Sequence, residues 1–428
     1  MKKISVSLLA ISIALVVIGS ILVIIPGSAP TQEIHSRTIS DGLIWPDSTW
    51  LRSSYAERGM DSLPILELID SMSREKFAPI NCLLIVKDGY LVTEEYFWGF
   101  DSSTTRSAQQ ITMSILSAVL GVAAERGELP DIHTPIATLL PNHRAIFKGD
   151  TTKNSITLEH LLTMTAGFQW DDSFQGYMMS DLDSLMLVDD PVGLVCARPL
   201  VSRPGEIFSF NDAYPVIASA ILENAIGMPV KEYAARHLFE PIGASSVFWT
   251  SLNEITNGCT GISATPRDLA RFGLLYARFG MWRGQRIIPL EWYMKSASGH
   301  TAIDTSSEIP VFYDYYWWAT RSNDPELARF FPHGFLFAHG AGNQLIFVAP
   351  DHDLVVVMTA GQMGHETLEQ TPLGKVIDYI LPAVFPERYR QNLEYDEESG
   401  DNEPEGKEPQ REQPEEYKLE DEQSISSI

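Results

Sequence analysis

Two β-branched runs near the end of the chain constrain its fold most. Gln344-Leu-Ile-Phe-Val and Leu354-Val-Val-Val-Met-Thr are separated by the turn sequence Pro350-Asp-His-Asp, so they should pair antiparallel. A matching signal lies far earlier: Cys82-Leu-Leu-Ile-Val-Lys-Asp-Gly-Tyr-Leu-Val-Thr reads as two strands about an Asp-Gly turn. Between these ends the pattern is helical, with an Ala- and Leu-rich stretch from Ser107 to Arg126 and another from about Ala213 to Ala225. Strands at both ends with helices between predict an α+β domain. Helices should flank its sheet, with a helical region inserted.

The termini read differently from this middle. Lys2 and Lys3 precede an uninterrupted apolar run from Ile4 to Ile25, which as a helix would be about 33 Å long, enough to cross a bilayer core. The spacing predicts an uncleaved anchor over residues 1–30, with a cleaved signal as the alternative, because Pro26-Gly-Ser-Ala-Pro30 is a poor cleavage site. Positive charge inside then places the rest outside the cytoplasm, membrane-anchored or else secreted. Residues 31–45 read as a linker and 46–390 as the folded domain. Residues 391–428 hold 14 Asp/Glu against 3 Lys/Arg with almost no apolar side chains, which predicts an acidic disordered tail.

The net charge of −25 argues against nucleic acid as a partner, since that requires a basic face. Cys82, Cys196 and Cys259 are too few and too scattered for a disulfide framework or a zinc site; buried thiols are the plain expectation. No metal or cofactor motif is visible, and nothing signals an oligomeric state.

Five blocks occur in a telling order. They are Leu83-Leu-Ile-Val-Lys-Asp-Gly-Tyr-Leu-Val-Thr, then Ile156-Thr-Leu-Glu-His-Leu-Leu-Thr-Met-Thr-Ala-Gly-Phe-Gln-Trp, and Pro204-Gly-Glu-Ile-Phe-Ser-Phe-Asn-Asp. Ala264-Thr-Pro-Arg-Asp-Leu-Ala-Arg-Phe-Gly-Leu-Leu-Tyr and Gly340-Ala-Gly-Asn-Gln follow. Together they resemble the β-lactamase-related serine hydrolases, a group of class C β-lactamases, penicillin-binding-protein-like DD-peptidases, esterases and 6-aminohexanoate-dimer hydrolases. The resemblance implies a β-lactamase/transpeptidase-like fold whose one antiparallel sheet joins both hairpins, hydrolase chemistry without a cofactor, and a cleft for a small-molecule or peptide-like ligand.

That chemistry needs a serine with a lysine three residues on, on one helix face, so that the amine takes the hydroxyl proton. A tyrosine from a Y-x-N motif relays the proton, and a strand bearing K/H-x-G helps build the oxyanion hole. Only Ser73-Arg-Glu-Lys76 has the serine–lysine spacing, and it precedes the opening hairpin, where the family does not place its nucleophile. At the start of the expected helix two registers are open. One makes Ser107 the nucleophile and Gln110 the lysine position; the other, which needs no gap, puts Gln110 at the serine and Met113 at the lysine. Both lose the base. Phe210-Asn211-Asp212 fills Y-x-N with a phenyl ring in place of the phenol, leaving Asn211 and Asp212 as cleft residues. Ser209-Phe-Asn211 as an S-x-N motif is the alternative. His339, Gly340 and Gly342 stand where the third motif should be, with His339 a candidate ligand contact. The expectation is a retained cleft with impaired catalysis; the competing one is a working serine hydrolase on Ser107 with a replaced base such as His339.

Overall fold

Alternation along the strands decides the architecture. The computed structural model describes residues 22–23, 42–74, 80–171, 180–299, 301–304, 310–320, 331–361 and 371–385. Eight strands form the main sheet: β1 Ile80–Lys87, β2 Tyr90–Tyr96, β3 Thr301–Asp304, β4 Val311–Asp314, β5 Trp317–Thr320, β6 Phe335–Gly340, β7 Gln344–Ala349 and β8 Leu354–Ala360. Their spatial order is β3-β4-β5-β6-β7-β8-β1-β2, every neighbour antiparallel. The opening and closing hairpins do share one sheet, because β8 pairs with β1 (Val356 opposite Ile85). Asp88 and Gly89 both have positive φ, 54° and 81°, the geometry that the Asp-Gly hairpin signal predicted.

Successive side chains on a strand point to opposite faces, and both faces here are buried. Leu84, Val86, Leu336, Ala338, Ile346, Val348, Val355 and Val357 join one core. Leu83, Ile85, Phe335, Phe337, Leu345, Phe347, Val356 and Met358 join a second, with helix α1 (Ser62–Ser73) and the chain around Leu373–Ala383. On the first face lie α2 (Ile111–Glu125), α3 (Tyr214–Ile226) and α4 (Pro266–Ala277). Residues 111–123 of α2 are all buried, which is why its sequence is apolar all round.

The predicted helices hold, with one shift. The first begins at Ile111 rather than near Ser107, because Arg106–Ser107 is a short strand paired with Ala264 and Ser263. Among the described residues no helix is long and apolar enough to cross a membrane. Most of the Ile4–Ile25 run lies outside the described residues. The expectation of one helix fails at its two described residues, for Leu22–Val23 is a strand antiparallel to Ile207–Phe208. Contacts divide the chain into Met1–Phe385 and Pro386–Ile428; the second unit, with the acidic tail, also lies outside the described residues, as does Lys76. Cys82, Cys196 and Cys259 are all buried, and burial pushes the Cys196 thiol up to about 12.

Candidate active site

The first turn of α2 is fixed from both sides. Ala108 N–H donates to Ile262 O (2.8 Å), and Thr112 Oγ1 accepts from Ile262 N–H (3.1 Å). Between them Gln109 takes a left-handed φ of 49°, a conformation that costs a non-glycine residue on the order of 1 kcal/mol. It turns the chain from strand into helix. Strand β6 then meets this turn backbone to backbone. A Cβ on Gly340 would lie 2.7 Å from Ala108 O and 3.0 Å from Gln110 N, so only glycine fits.

Gln110 stands at the head of α2 and ties the residue after β6 to Asp212. Its Oε1 accepts from Ala341 N–H at 2.8 Å, and its Nε2 donates to Asp212 Oδ1 at 3.3 Å. The amide cannot be turned round, since a backbone N–H only donates. The Cys259 thiol donates to the same Asp212 oxygen (3.3 Å). Asn211, buried beside it, accepts from Ala213 N–H (2.9 Å) and so starts α3.

Phe210 belongs to an aromatic wall beside this bridge. Its ring stacks on Trp318 (centroids 6.4 Å apart, 17° between planes) and meets Tyr313 edge-on (6.2 Å, 80°). Tyr313 and Tyr316 are buried, and desolvation holds both phenols well above their ordinary range. Neither can stand in as a base at neutral pH. Met113, one turn beyond Gln110, is buried in the first core, and its thioether takes no proton.

Ser107 sits apart from this group. It is an exposed strand residue whose hydroxyl accepts a long bond from Gln109 N–H (3.4 Å), and among the described residues no lysine or histidine bonds to it. Three lysines that could have replaced the base, Lys148, Lys153 and Lys231, are engaged elsewhere or open to solvent. Lys153 Nζ donates to Cys196 O (2.9 Å) and Lys231 Nζ to Ser251 Oγ (3.0 Å), while Lys148 is exposed.

His339 pairs with Leu345 and shares its face of the sheet, whereas Gly340, one residue on, faces α2. The imidazole is therefore turned away from Gln110, and desolvation lowers it to about 4. With Gly340 as the glycine of K/H-x-G, the first position of that motif is Ala338, buried and apolar. Gly342 and Asn343 have φ of 71° and 67°, so Gly342 serves the tight turn between β6 and β7. Sequence reasoning placed the Gly340–Gly342 segment at the site without singling out the Ala341 N–H, and it missed Cys259. No spacing announces a backbone donor that meets Gln110 across 231 residues.

Among the described residues no cluster of three or more His, Cys, Asp or Glu could hold a metal ion. No curated protein matches the sequence. Solved structures do match the fold. A proposed 6-aminohexanoate-dimer hydrolase from Bacillus anthracis aligns with a TM-score of 0.59 at 18% identity, covering 83% of this chain and 90% of its own. A penicillin-binding-protein homologue from Caulobacter crescentus aligns at 0.60 and 14%, covering 78% and 99%. A β-lactamase/D-alanine carboxypeptidase from Pseudomonas syringae aligns at 0.53 and 17%, covering 74% and 98%. The sequence itself matches the Beta-lactamase family model over residues 111–375, more than half of its length, and the chain belongs to that family, with the fold of the β-lactamase-like and penicillin-binding-protein-like serine hydrolases.

Proposed function

We propose that this chain is a non-catalytic member of its family that keeps the cleft for binding a small-molecule or peptide-like ligand. One observation carries the reading: the residue at the head of α2 is a glutamine whose amide already holds Ala341 N–H and Asp212. That N–H is the donor the family would aim at a reacting carbonyl. The register that puts Gln110 at the serine and Met113 at the lysine accounts for this placement, and Phe210 and Ala338 then complete a set of four neutral replacements. Losing members of a nucleophile–base unit typically costs on the order of 10³ to 10⁶ in turnover. The acidic net charge favours a partner other than nucleic acid. Lys2, Lys3 and the Ile4–Ile25 run support a place outside the cytoplasm, anchored or secreted.

Serine-reactive phosphonates and a labelled β-lactam test the reading directly. No covalent adduct should form on the wild-type protein. An adduct that disappears in Ser107→Ala would overturn it and make the chain a serine hydrolase with a replaced base.

A further inference from the structure

We infer that the gap between Ala341 N–H and Asp212 is a carboxamide-binding subsite, which Gln110 fills from within and which a ligand bearing a primary amide occupies by displacing it. This rests on the binding reading above and names the group that the ligand brings. The gap offers one donor, the Ala341 N–H, and one acceptor, Asp212 Oδ1, which already accepts from the Cys259 thiol. A carboxylate would satisfy the donor but set an oxygen against an acceptor. An ammonium would satisfy Asp212 and leave the N–H unmatched. A primary amide is the small neutral group that supplies an oxygen at one end and an N–H at the other, and Gln110 demonstrates the fit.

The inner occupant is also built to leave. Gln110 is only partly buried, has no cap bond to its own helix, and hangs on a side chain with three rotatable bonds. Two hydrogen bonds hold it, one from Ala341 N–H and a long one of 3.3 Å to Asp212, and an incoming amide can remake both. An incoming amide therefore exchanges like for like.

Acetamide is the probe and acetate its control, with thermal shift and side-chain amide NMR as readouts. In Gln110→Ala the subsite is vacant, so acetamide should raise the melting temperature with half-saturation about tenfold below that of wild type, and acetate should not. Adding Asp212→Asn removes the fixed acceptor and should erase the preference for acetamide over acetate. In wild type, acetamide should shift the Gln110 side-chain amide resonances, which keeps the test independent of how well the variants fold. Equal responses to acetamide and acetate, or no response in either protein while serine probes leave wild type unlabelled, would overturn the subsite and leave the binding reading standing. Labelling of wild type would instead bring down the reading beneath it.

Discussion

Helices α2 and α4 start on the same face of the sheet, yet their first turns are used in opposite ways. At α4 each polar group serves the fold. Thr265 caps the helix by accepting from Asp268 N–H (3.3 Å), Asp268 accepts from Ser246 N–H (2.8 Å), and the Arg271 guanidinium gathers the carbonyls of Pro46, Ile242 and Asp47. Gly273 lets β7 and β8 come close, for a Cβ there would lie 2.5 Å from Val355 Cγ1. At α2 the leading side chain makes no cap bond and bonds to Ala341 N–H and Asp212 instead. Positions that shape the fold are filled in the expected way; on the reading proposed above, those that would do chemistry hold neutral groups of suitable size.

The contrast breaks most visibly if the chemistry can be put back. The triple variant Gln110→Ser, Met113→Lys, Phe210→Tyr should react with a phosphonate probe at least about 10³-fold faster than wild type, measured as the rate of adduct formation. Gln110→Lys with Phe210→Tyr, which restores the register on Ser107, should stay unreactive. The reverse result would exchange the two registers.

A smaller effect sharpens the structural half. Gly273→Ala would gain about 1 kcal/mol on an exposed helix, but here the methyl meets Val355 and Ile346. Overpacking of this kind should lower stability by about 2 kcal/mol net, read as a fall in the urea midpoint. A gain in stability would show that α4 has slack that the packing denies.

The smallest effect concerns His339. Its imidazole is held near 4 in the folded protein, against about 6.5 when unfolded, so between those values the unfolded chain binds the extra proton. Stability is complete above about pH 6.5 and is lost as the pH falls towards 4, by on the order of 1 kcal/mol once the partial exposure of the ring is allowed for. His339→Gln should flatten that part of the pH–stability curve. An unchanged curve would mean that the ring is hydrated and reopen it as a cleft group.

Much of this was legible in the sequence, for reasons that particular residues make clear. The Asp88-Gly89 turn and the β-branched runs announce hairpins because local backbone preference and burial agree there. That β1 pairs with β8 followed from the order of the family blocks, not from any local signal. That neither Gln110 nor Met113 offers a proton acceptor could be read from side-chain chemistry alone. The sidedness of His339 could not. Phe335-Leu-Phe-Ala-His is apolar on both faces because both faces are buried, so alternation does not reveal which face meets α2. The Gln110–Ala341 bridge was hidden for a different reason, since its acceptor is a side chain and its donor is backbone that any residue but proline provides.

The arrival of the chain at residues 44–47 has a mechanical consequence. Arg278 donates to Ile44 O (2.7 Å) with its guanidinium over the Trp45 ring (4.1 Å), Arg283 reaches Pro46 O (3.1 Å) and Asp47, and Arg271 holds the carbonyls of Pro46 and Asp47. Arg271 lies in α4 and Arg278 directly follows its last residue, and α4 is wedged under β7 and β8. A pull on the chain ahead of Ile44 is therefore shared among several charge-assisted bonds and passes towards the sheet through α4. Gln110 shares none of these bonds, since its partners are Ala341 N–H and Asp212, so loosening the lead should leave that bridge in place.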